Sequence, residues 1–435
     1  MAAPIPSLAD YASVADHLVS LKSSGVRFGI ERMGRFAEAL GHPERRYPII
    51  HLAGTNGKGS VAAMLESIFR HAGHRTGLYT SPHLVKLGER VQVNRRLLRE
   101  DEIVALTAEL APVARRLGEF GPDEHPTFFE FMTAMAFLQF AREKVDVAIV
   151  ETGMGGRLDA TNIVRPEIAI ITSIGFDHME FLGDSLTKIA AEKAGIIKEG
   201  IPVVLGRVPL EAEDILRQIA AERRAAVHSV REIFGESIAA YPETNLEGDY
   251  QRWNAGTAVV AARLLRDRFR LTEEGIAGAL KQTSWPGRWQ RLQVGDRTVI
   301  LDASHNSEGA SVLADNLSRL ATESGRIPII ITGVLGEYRA KALLDVVCRR
   351  ARDVYLVPPR TDRACTYEQL EKAAPAAGAR LHRSSIDHLF PDPAHCTAGA
   401  PGDIVVVTGS IYLLGEVLER LEPKRGDKEA RLQDF

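Results

Sequence analysis

Short runs of apolar residues recur along this chain of 435 residues, separated by longer stretches whose apolar positions fall three or four apart. The runs at 47–53, 76–79, 145–151, 167–173 and 202–205 are continuous, not alternating, as in strands covered on both faces. The stretches at 60–71, 129–142 and 186–197 carry helical spacing. Strand alternating with helix predicts an α/β fold with a mostly parallel sheet and helices on both faces. Around Trp285-Pro-Gly-Arg-Trp-Gln-Arg-Leu292 the pattern breaks, and Val294-Gly-Asp-Arg297 reads as a turn. A new series of apolar runs follows at 298–302, 328–332, 354–357 and 404–408, enough for a second α/β unit of about 140 residues. The expected domains are therefore 1–290 and 297–435, joined somewhere between Arg288 and Asp296. The charged tail from Pro423 onwards reads as loose.

Composition narrows the classes without changing this picture. A hydrophobic content of 45% and a charged content of 26% are those of a soluble globular protein. A net charge of −3 gives no support for a nucleic-acid surface. Cys348, Cys365 and Cys396 are too few and too scattered for a disulfide framework or a zinc site, so reduced thiols are expected. No basic segment followed by an apolar run opens the chain, and no stretch approaches the ~20 apolar residues of a membrane span. The expectation is a cytoplasmic protein with no membrane partner.

Chemistry concentrates where strands end, as it does in parallel sheets. The run His51-Leu-Ala-Gly-Thr-Asn-Gly-Lys-Gly-Ser60 joins a strand to a helix. Gly54, Gly57 and Gly59 let the backbone turn tightly and bare its N–H groups, Lys58 adds a cation and Ser60 a hydroxyl. Such a turn at a helix N-terminus is suited to phosphates. It departs from G-x-x-x-x-G-K-[ST], because the first Gly lies four positions before the Lys and Gly59 separates Lys58 from Ser60. A short Gly-Lys turn can also be a mere connection; the flanking strand and helix favour phosphate binding.

Glu151 ends a strand and enters Thr-Gly-Met-Gly-Gly-Arg-Leu-Asp159, whose glycines miss the dinucleotide spacing. A carboxylate there suits Mg²⁺, although an acid on a solvated turn would read the same way. His178, in Ile174-Gly-Phe-Asp-His178, is either a metal ligand or a helix cap. Ser81, in Tyr79-Thr-Ser-Pro-His83, offers a hydroxyl ligand or marks a simple Ser-Pro turn. Lys193 sits among small and apolar neighbours, and spacing alone favours a solvated lysine over a buried one.

Taken together, these segments resemble the folylpolyglutamate synthase/dihydrofolate synthase family of the Mur ligase superfamily. The resemblance also rests on Phe128-Phe-Glu-Phe131, Glu192-Lys-Ala-Gly195, Asn254-Ala255, Pro286-Gly-Arg288, His305-Asn306 and Gly409-Ser-Ile-Tyr-Leu413. It runs in family order from about residue 25 to about residue 420. The Gly-Lys-Gly-Ser form differs from the Gly-Lys-Thr usual in cell-wall ligases. The resemblance implies a P-loop ATPase-type N-terminal domain with a smaller Rossmann-like C-terminal domain, acting as an ATP-dependent carboxylate–amine ligase. Gly54, Thr55, Asn56, Gly57, Lys58, Gly59 and Ser60 would hold the ATP phosphates, with Asn254, Arg288 and Asp302 also contacting ATP. Ser81, Glu151 and His178 would hold two Mg²⁺ ions, and Lys193 would be carbamylated, reversing the solvated reading. His305 and Ser410 would seat glutamate. Phe129, Asp159 and the loop Gly29-Ile-Glu-Arg32 would line the pocket for dihydropteroate or a reduced folate. Lys58, Lys193 and His305 would be the catalytic set, and a monomer is expected.

Three departures from the family pattern stand out. Asp302-Ala-Ser-His-Asn306 replaces Asp-Gly-Ala-His-Asn, and the stiffer backbone at Ala303 would tend to shift Asp302 and His305. Tyr250-Gln251 replaces His-Gln. Gly336-Glu-Tyr-Arg339 replaces an Asp-Lys-Asp turn, which leaves that turn without an assigned role. Two alternatives stay open: a Mur-type ligase for a cell-wall precursor, and an ATP-binding regulator without turnover.

Overall fold

The apolar run that begins near Tyr47 becomes β1 (Ile49–Ala53), buried along its whole length. It is the fifth strand of an eight-stranded sheet in the order β4-β3-β2-β5-β1-β6-β7-β8. The others are β2 (Thr76–Tyr79), β3 (Val91–Val93), β4 (Arg96–Leu97), β5 (Val147–Glu151), β6 (Ile168–Ile171), β7 (Val203–Leu205) and β8 (Val227–Ser229). Pairing is parallel from β2 through to β8, while β3 and β4 extend the β2 edge antiparallel. This computed structural model describes residues 9–22, 27, 29–121, 123–375, 378–426 and 429–433.

The period-two geometry of strands divides the core. Ala148 and Val150 face a cluster built on the helices Glu100–Gly118 and Phe128–Arg142. Val147 and Ile149 face the opposite cluster, built on Lys58–His71 and Asp249–Phe269. Both faces are covered, which is why the strands read as unbroken apolar runs.

The second sheet has six strands in the order β13-β12-β11-β14-β10-β9. They are β9 (Arg288–Val294), β10 (Arg297–Asp302), β11 (Ile329–Thr332), β12 (Asp353–Leu356), β13 (Arg380–Arg383) and β14 (Ile404–Thr408). All pair in parallel except β9, which folds back on β10 as a hairpin edge. The architecture is thus the expected one, a mostly parallel first sheet and a smaller second α/β unit.

Two expectations change. Residues 288–296 are not a linker: they form β9 and its turn, and the chain crosses between sheets at 281–287, after the helix Glu273–Leu280. As an edge strand β9 buries only Trp289 and Val294, one on each face, and leaves Arg291 and Gln293 exposed, so its apolar content is diluted. The tail also docks where described. Glu429 N–H donates to Val85 O at 2.9 Å, Leu87 N–H to Glu429 Oε2 at 2.6 Å, and Gln433 Nε2 to His83 O at 2.6 Å. Leu432 is fully buried in the first unit's core. The three cysteines are buried and free. Among the described residues no helix is long and apolar enough to cross a membrane.

Candidate active site

The turn after β1 is fixed from the neighbouring strand end. Thr55 N–H donates to Ser173 O at 2.9 Å, Asn56 N–H to Ser173 Oγ at 2.9 Å, and Thr172 Oγ1 to Asn56 O at 2.7 Å. The helix starts at Lys58, two residues earlier than its apolar pattern suggests, with Gly57 at φ 84° entering it. That left-handed entry needs no strain only in glycine. A Cβ on Gly59 would lie 2.9 Å from Cζ2 of Trp285, so the ring occupies the space that a larger residue would need. Lys58 Nζ donates to Gly54 O at 3.0 Å and lies 3.9 Å from Glu151 Oε1. Ser60 is buried and accepts from Gln251 Nε2 at 3.2 Å, while Asn254 Nδ2 donates to Gln251 Oε1 at 3.0 Å.

Lys193 is buried, only 4% exposed, so its spacing misled: its side chain runs inward to the wall of the cleft and to the phosphate loop. Its Nζ donates to Gly54 O at 2.9 Å, the same carbonyl that Lys58 uses. Burial, reinforced by the charge of Lys58, pushes its pKa down to about 7 against the pull of Asp177, Asp159 and Glu308. A large neutral fraction of the amine at pH 7 is what reaction with CO₂ requires.

Glu151 closes β5 and is buried. His178 stands at the start of the short helix Met179–Leu182 with φ 49°, and its side chain caps nothing there. Burial lowers its pKa to about 4; Asp177 opposes the shift, while Arg339, Lys58 and His305 add to it. The ring is therefore neutral at pH 7 and keeps a lone pair. Among the described residues no three His, Cys, Asp or Glu side chains form a ready-made metal cage. Mg²⁺ needs none, since it takes one or two carboxylates and completes its shell with phosphate oxygens and water. The Glu151 carboxylate and the Ser81 hydroxyl are oxygen donors of that kind, and the neutral His178 ring adds a nitrogen lone pair beside them.

From the second unit, Asp302 ends β10 and accepts from Ser304 N–H at 3.1 Å and Ser304 Oγ at 2.5 Å. Ala303 N–H donates to Gly287 O at 3.0 Å, and both Asp302 and His305 still line the cleft. His305 Nδ1 lies 2.8 Å from Ala303 O. Ser410 is buried, and its hydroxyl accepts from Tyr412 N–H at the start of the helix Ile411–Leu421. Arg288 faces the buried carboxyl of Asp302, and Tyr250 stands beside both.

Phe129 lies against Gly153 of the Gly-rich loop, close enough that a Cβ there would meet its ring at 2.5 Å. Asp159 is buried, and both oxygens are engaged by the loop itself: Met154 N–H at 2.9 Å, Thr161 N–H at 3.0 Å and Thr161 Oγ1 at 2.5 Å. It forms part of the wall while holding the loop in shape. Half-buried Arg32 pairs with buried Glu130 at 2.7 Å, and Glu130 also receives Thr127 N–H, closing a capping box on the helix Phe128–Arg142.

The residues expected to hold ATP, Mg²⁺ and glutamate line one cavity of about 920 Å³, as do Phe129 and Asp159; of the loop Gly29-Ile-Glu-Arg32 only Gly29 reaches its wall, because Arg32 is turned to Glu130. The sequence reading assigned no role to several others on its wall: Asp177, Glu308 and Arg339 across the cleft, and Arg207, Tyr250 and Trp253, with Arg207 stacked 4.6 Å over the Trp253 ring. The motif pair Asp177-His178 pointed at the first of these. Tyr250 and Arg339 stand where the chain departs from the family pattern, and nothing local marks Glu308, Arg207 or Trp253.

Residues 52–231 match the family model described as Mur ligase middle domain, and residues 287–411 that described as Mur ligase, glutamate ligase domain. With the phosphate loop and the shared cavity, this makes the chain an ATP-dependent ligase of the Mur class. It is 35% identical over 426 residues to dihydrofolate synthase/folylpolyglutamate synthase of Bacillus subtilis, covering 92% of this chain and 96% of that protein. The protein of the same name in Escherichia coli is 33% identical over 423 residues, covering 95% and 96%. The crystal structure of folylpolyglutamate synthase from Thermotoga maritima superimposes with a TM-score of 0.82 at 28% identity, covering 97% of this chain and 99% of that one. E. coli FolC in complex with DHPP and ADP gives 0.82 at 29%, covering 97% and 100%. The chain belongs to the folylpolyglutamate synthase/dihydrofolate synthase family.

Proposed function

We propose that this enzyme adds L-glutamate to the carboxylate of dihydropteroate, of a reduced folate, or of both, using ATP. One observation carries the reading: a single cavity is walled by the phosphate loop on one side and by His305 and Ser410 on the other. A carboxylate is a poor acyl donor. Its oxygen first takes the γ-phosphoryl group, ADP leaves, and an acyl phosphate forms. The glutamate amine then attacks the carbonyl carbon, phosphate leaves, and the amide forms with loss of a proton.

The chain's residues divide this work. Gly54 to Ser60 cradle the phosphates, with Lys58 on the β/γ oxygens and Arg288 balancing charge. Asn254, Arg288 and Asp302 hold the nucleotide from the far side. Ser81, Glu151 and His178 are the residues that would hold Mg²⁺, which supplies charge neutralisation at the phosphates. A carbamate on Lys193 would turn a buried cation into an anion in that neighbourhood. His305 and Ser410 orient glutamate, and Phe129 with the loop held by Asp159 packs the acceptor. All these groups come from one chain, which supports action as a monomer. A cytoplasmic setting fits its substrates and free thiols. The test is ADP release with dihydropteroate against tetrahydrofolate, each with Mg²⁺-ATP and glutamate. Release with neither acceptor would sink the reading, and ATP binding without any ADP release would favour a regulator.

A further inference from the structure

Three groups of the second unit converge on one carboxylate of the first. Asp177 Oδ1 accepts from Arg339 Nη2 at 2.6 Å, and Oδ2 from Asn306 Nδ2 at 3.1 Å. His305 Nε2 lies 3.7 Å from that same Oδ2. The Arg339 and Asp177 side chains are 13% and 8% exposed. Beside them Asn56 of the phosphate loop donates to Glu308 Oε2 at 2.6 Å and exchanges hydrogen bonds with Asn306. The second unit thus meets the loop through a strip of polar contacts.

Arg339 is placed against local preference. It occupies the first turn of the helix Glu337–Arg350, where the helix dipole disfavours a cation. Its Nε is buried without a partner among the described residues. A residue that breaks a local rule in a cleft has its reason across that cleft, and here the reason is Asp177.

We propose that Arg339 is a positioning residue: bound to Asp177, it latches the second unit over the phosphate loop and keeps His305 and Asn306 in register with it. The inference rests on the ligase reading above. With the latch shut, the acyl phosphate meets the amine of glutamate. With it open, water attacks the same carbonyl carbon, the bond from carbon to the phosphate oxygen breaks, and carboxylate, phosphate and a proton are released without an amide.

The test compares wild type with Arg339→Lys, Arg339→Gln and Arg339→Glu in two measurements. The first is phosphate released per amide formed, with Mg²⁺-ATP, acceptor and glutamate. Breaking one side of a buried pair can shift an open–closed equilibrium by on the order of 100-fold. The ratio should therefore rise at least about fivefold in Arg339→Gln, further in Arg339→Glu, and stay near wild type in Arg339→Lys. A merely structural residue would lower both rates together. The second measurement is small-angle scattering with a non-hydrolysable ATP analogue and no acceptor, in which Arg339→Glu should be the more open form. An unchanged ratio, superimposable scattering profiles, or a lysine variant no better than glutamine overturns the proposal. If Arg339→Glu does not fold, the glutamine and lysine variants carry both measurements. A wild type that forms no amide with any pteroate acceptor defeats the ligase reading instead, and scattering still decides the latch.

Discussion

Replacing Lys193 by Met should abolish activity and yet stabilise the fold. In the unfolded chain this lysine titrates near 10.5, and in the folded protein near 7, because burial and Lys58 oppose its charge. At ~1.36 kcal/mol per pH unit, that difference caps the cost of keeping the protonated amine in the folded state at about 5 kcal/mol. The hydrogen bond to Gly54 O returns about 1 kcal/mol. Met fills a similar volume without charge, so the variant should gain ~2–4 kcal/mol near pH 7. The sign follows from proton counting. Between pH 7 and 10.5 the unfolded state binds more protons than the folded one, so wild-type stability rises with pH across that window. The advantage of Lys193→Met should therefore be largest below about pH 7, shrink with a slope approaching 1.4 kcal/mol per unit, and vanish near pH 10.5. Urea melts of both proteins from pH 6.5 to 9, in CO₂-free buffer, measure it. Added bicarbonate should raise wild-type activity and narrow the gap, because the carbamate removes the positive charge. A variant that is less stable than wild type, or a gap that does not change with pH, would refute the account of Lys193 as a buried, destabilised cation.

Gly59→Ala should raise the KM for ATP about tenfold and cost ~1–3 kcal/mol through the Trp285 contact, with part of the stability restored by adding Trp285→Leu; initial rates and urea melts check both. Glu151→Gln should fold normally but lose on the order of 100-fold in kcat, and raising Mg²⁺ should recover little of it. Glu130→Gln removes the charge opposite Arg32 and weakens the helix cap, while the guanidinium keeps its bonds to the Asp123 and Arg27 carbonyls, and should cost ~1–3 kcal/mol by chemical denaturation.

Much of the fold was legible because both sheets are covered on two faces, so β1, β5, β6, β11 and β14 show as unbroken apolar runs. The edges were not. β9 leaves Arg291 and Gln293 exposed and reads as a loop, and the two-residue β4 carries no apolar signal. Within the site, short motifs marked the residues bound by local geometry: the Gly turn, Glu151 at a strand end and the Asp177-His178 pair. Contacts between units left no local trace. Arg339 meets Asp177 across 162 residues and Asn56 meets Glu308 across 252, and no periodicity encodes such a pairing. Lys193 failed for a different cause. Its amine is held by the carbonyl of Gly54, 139 residues away, a partner that helical spacing cannot reveal.

The docked tail constrains how this molecule can move. The chain leaves the first unit at 281–287 and returns to it at 429–433, where Leu432 enters the core and Gln433 binds the His83 carbonyl. The second unit is therefore anchored at both of its ends, like a door hung on two hinges. Two anchors define an axis, and opening becomes a swing about one line, not a free tumble on a single tether. The same anchor lies two residues from Ser81, at one edge of the cleft. Any swing that strains it pulls on the loop carrying that hydroxyl, so the breadth of opening and the shape of the phosphate site are mechanically joined.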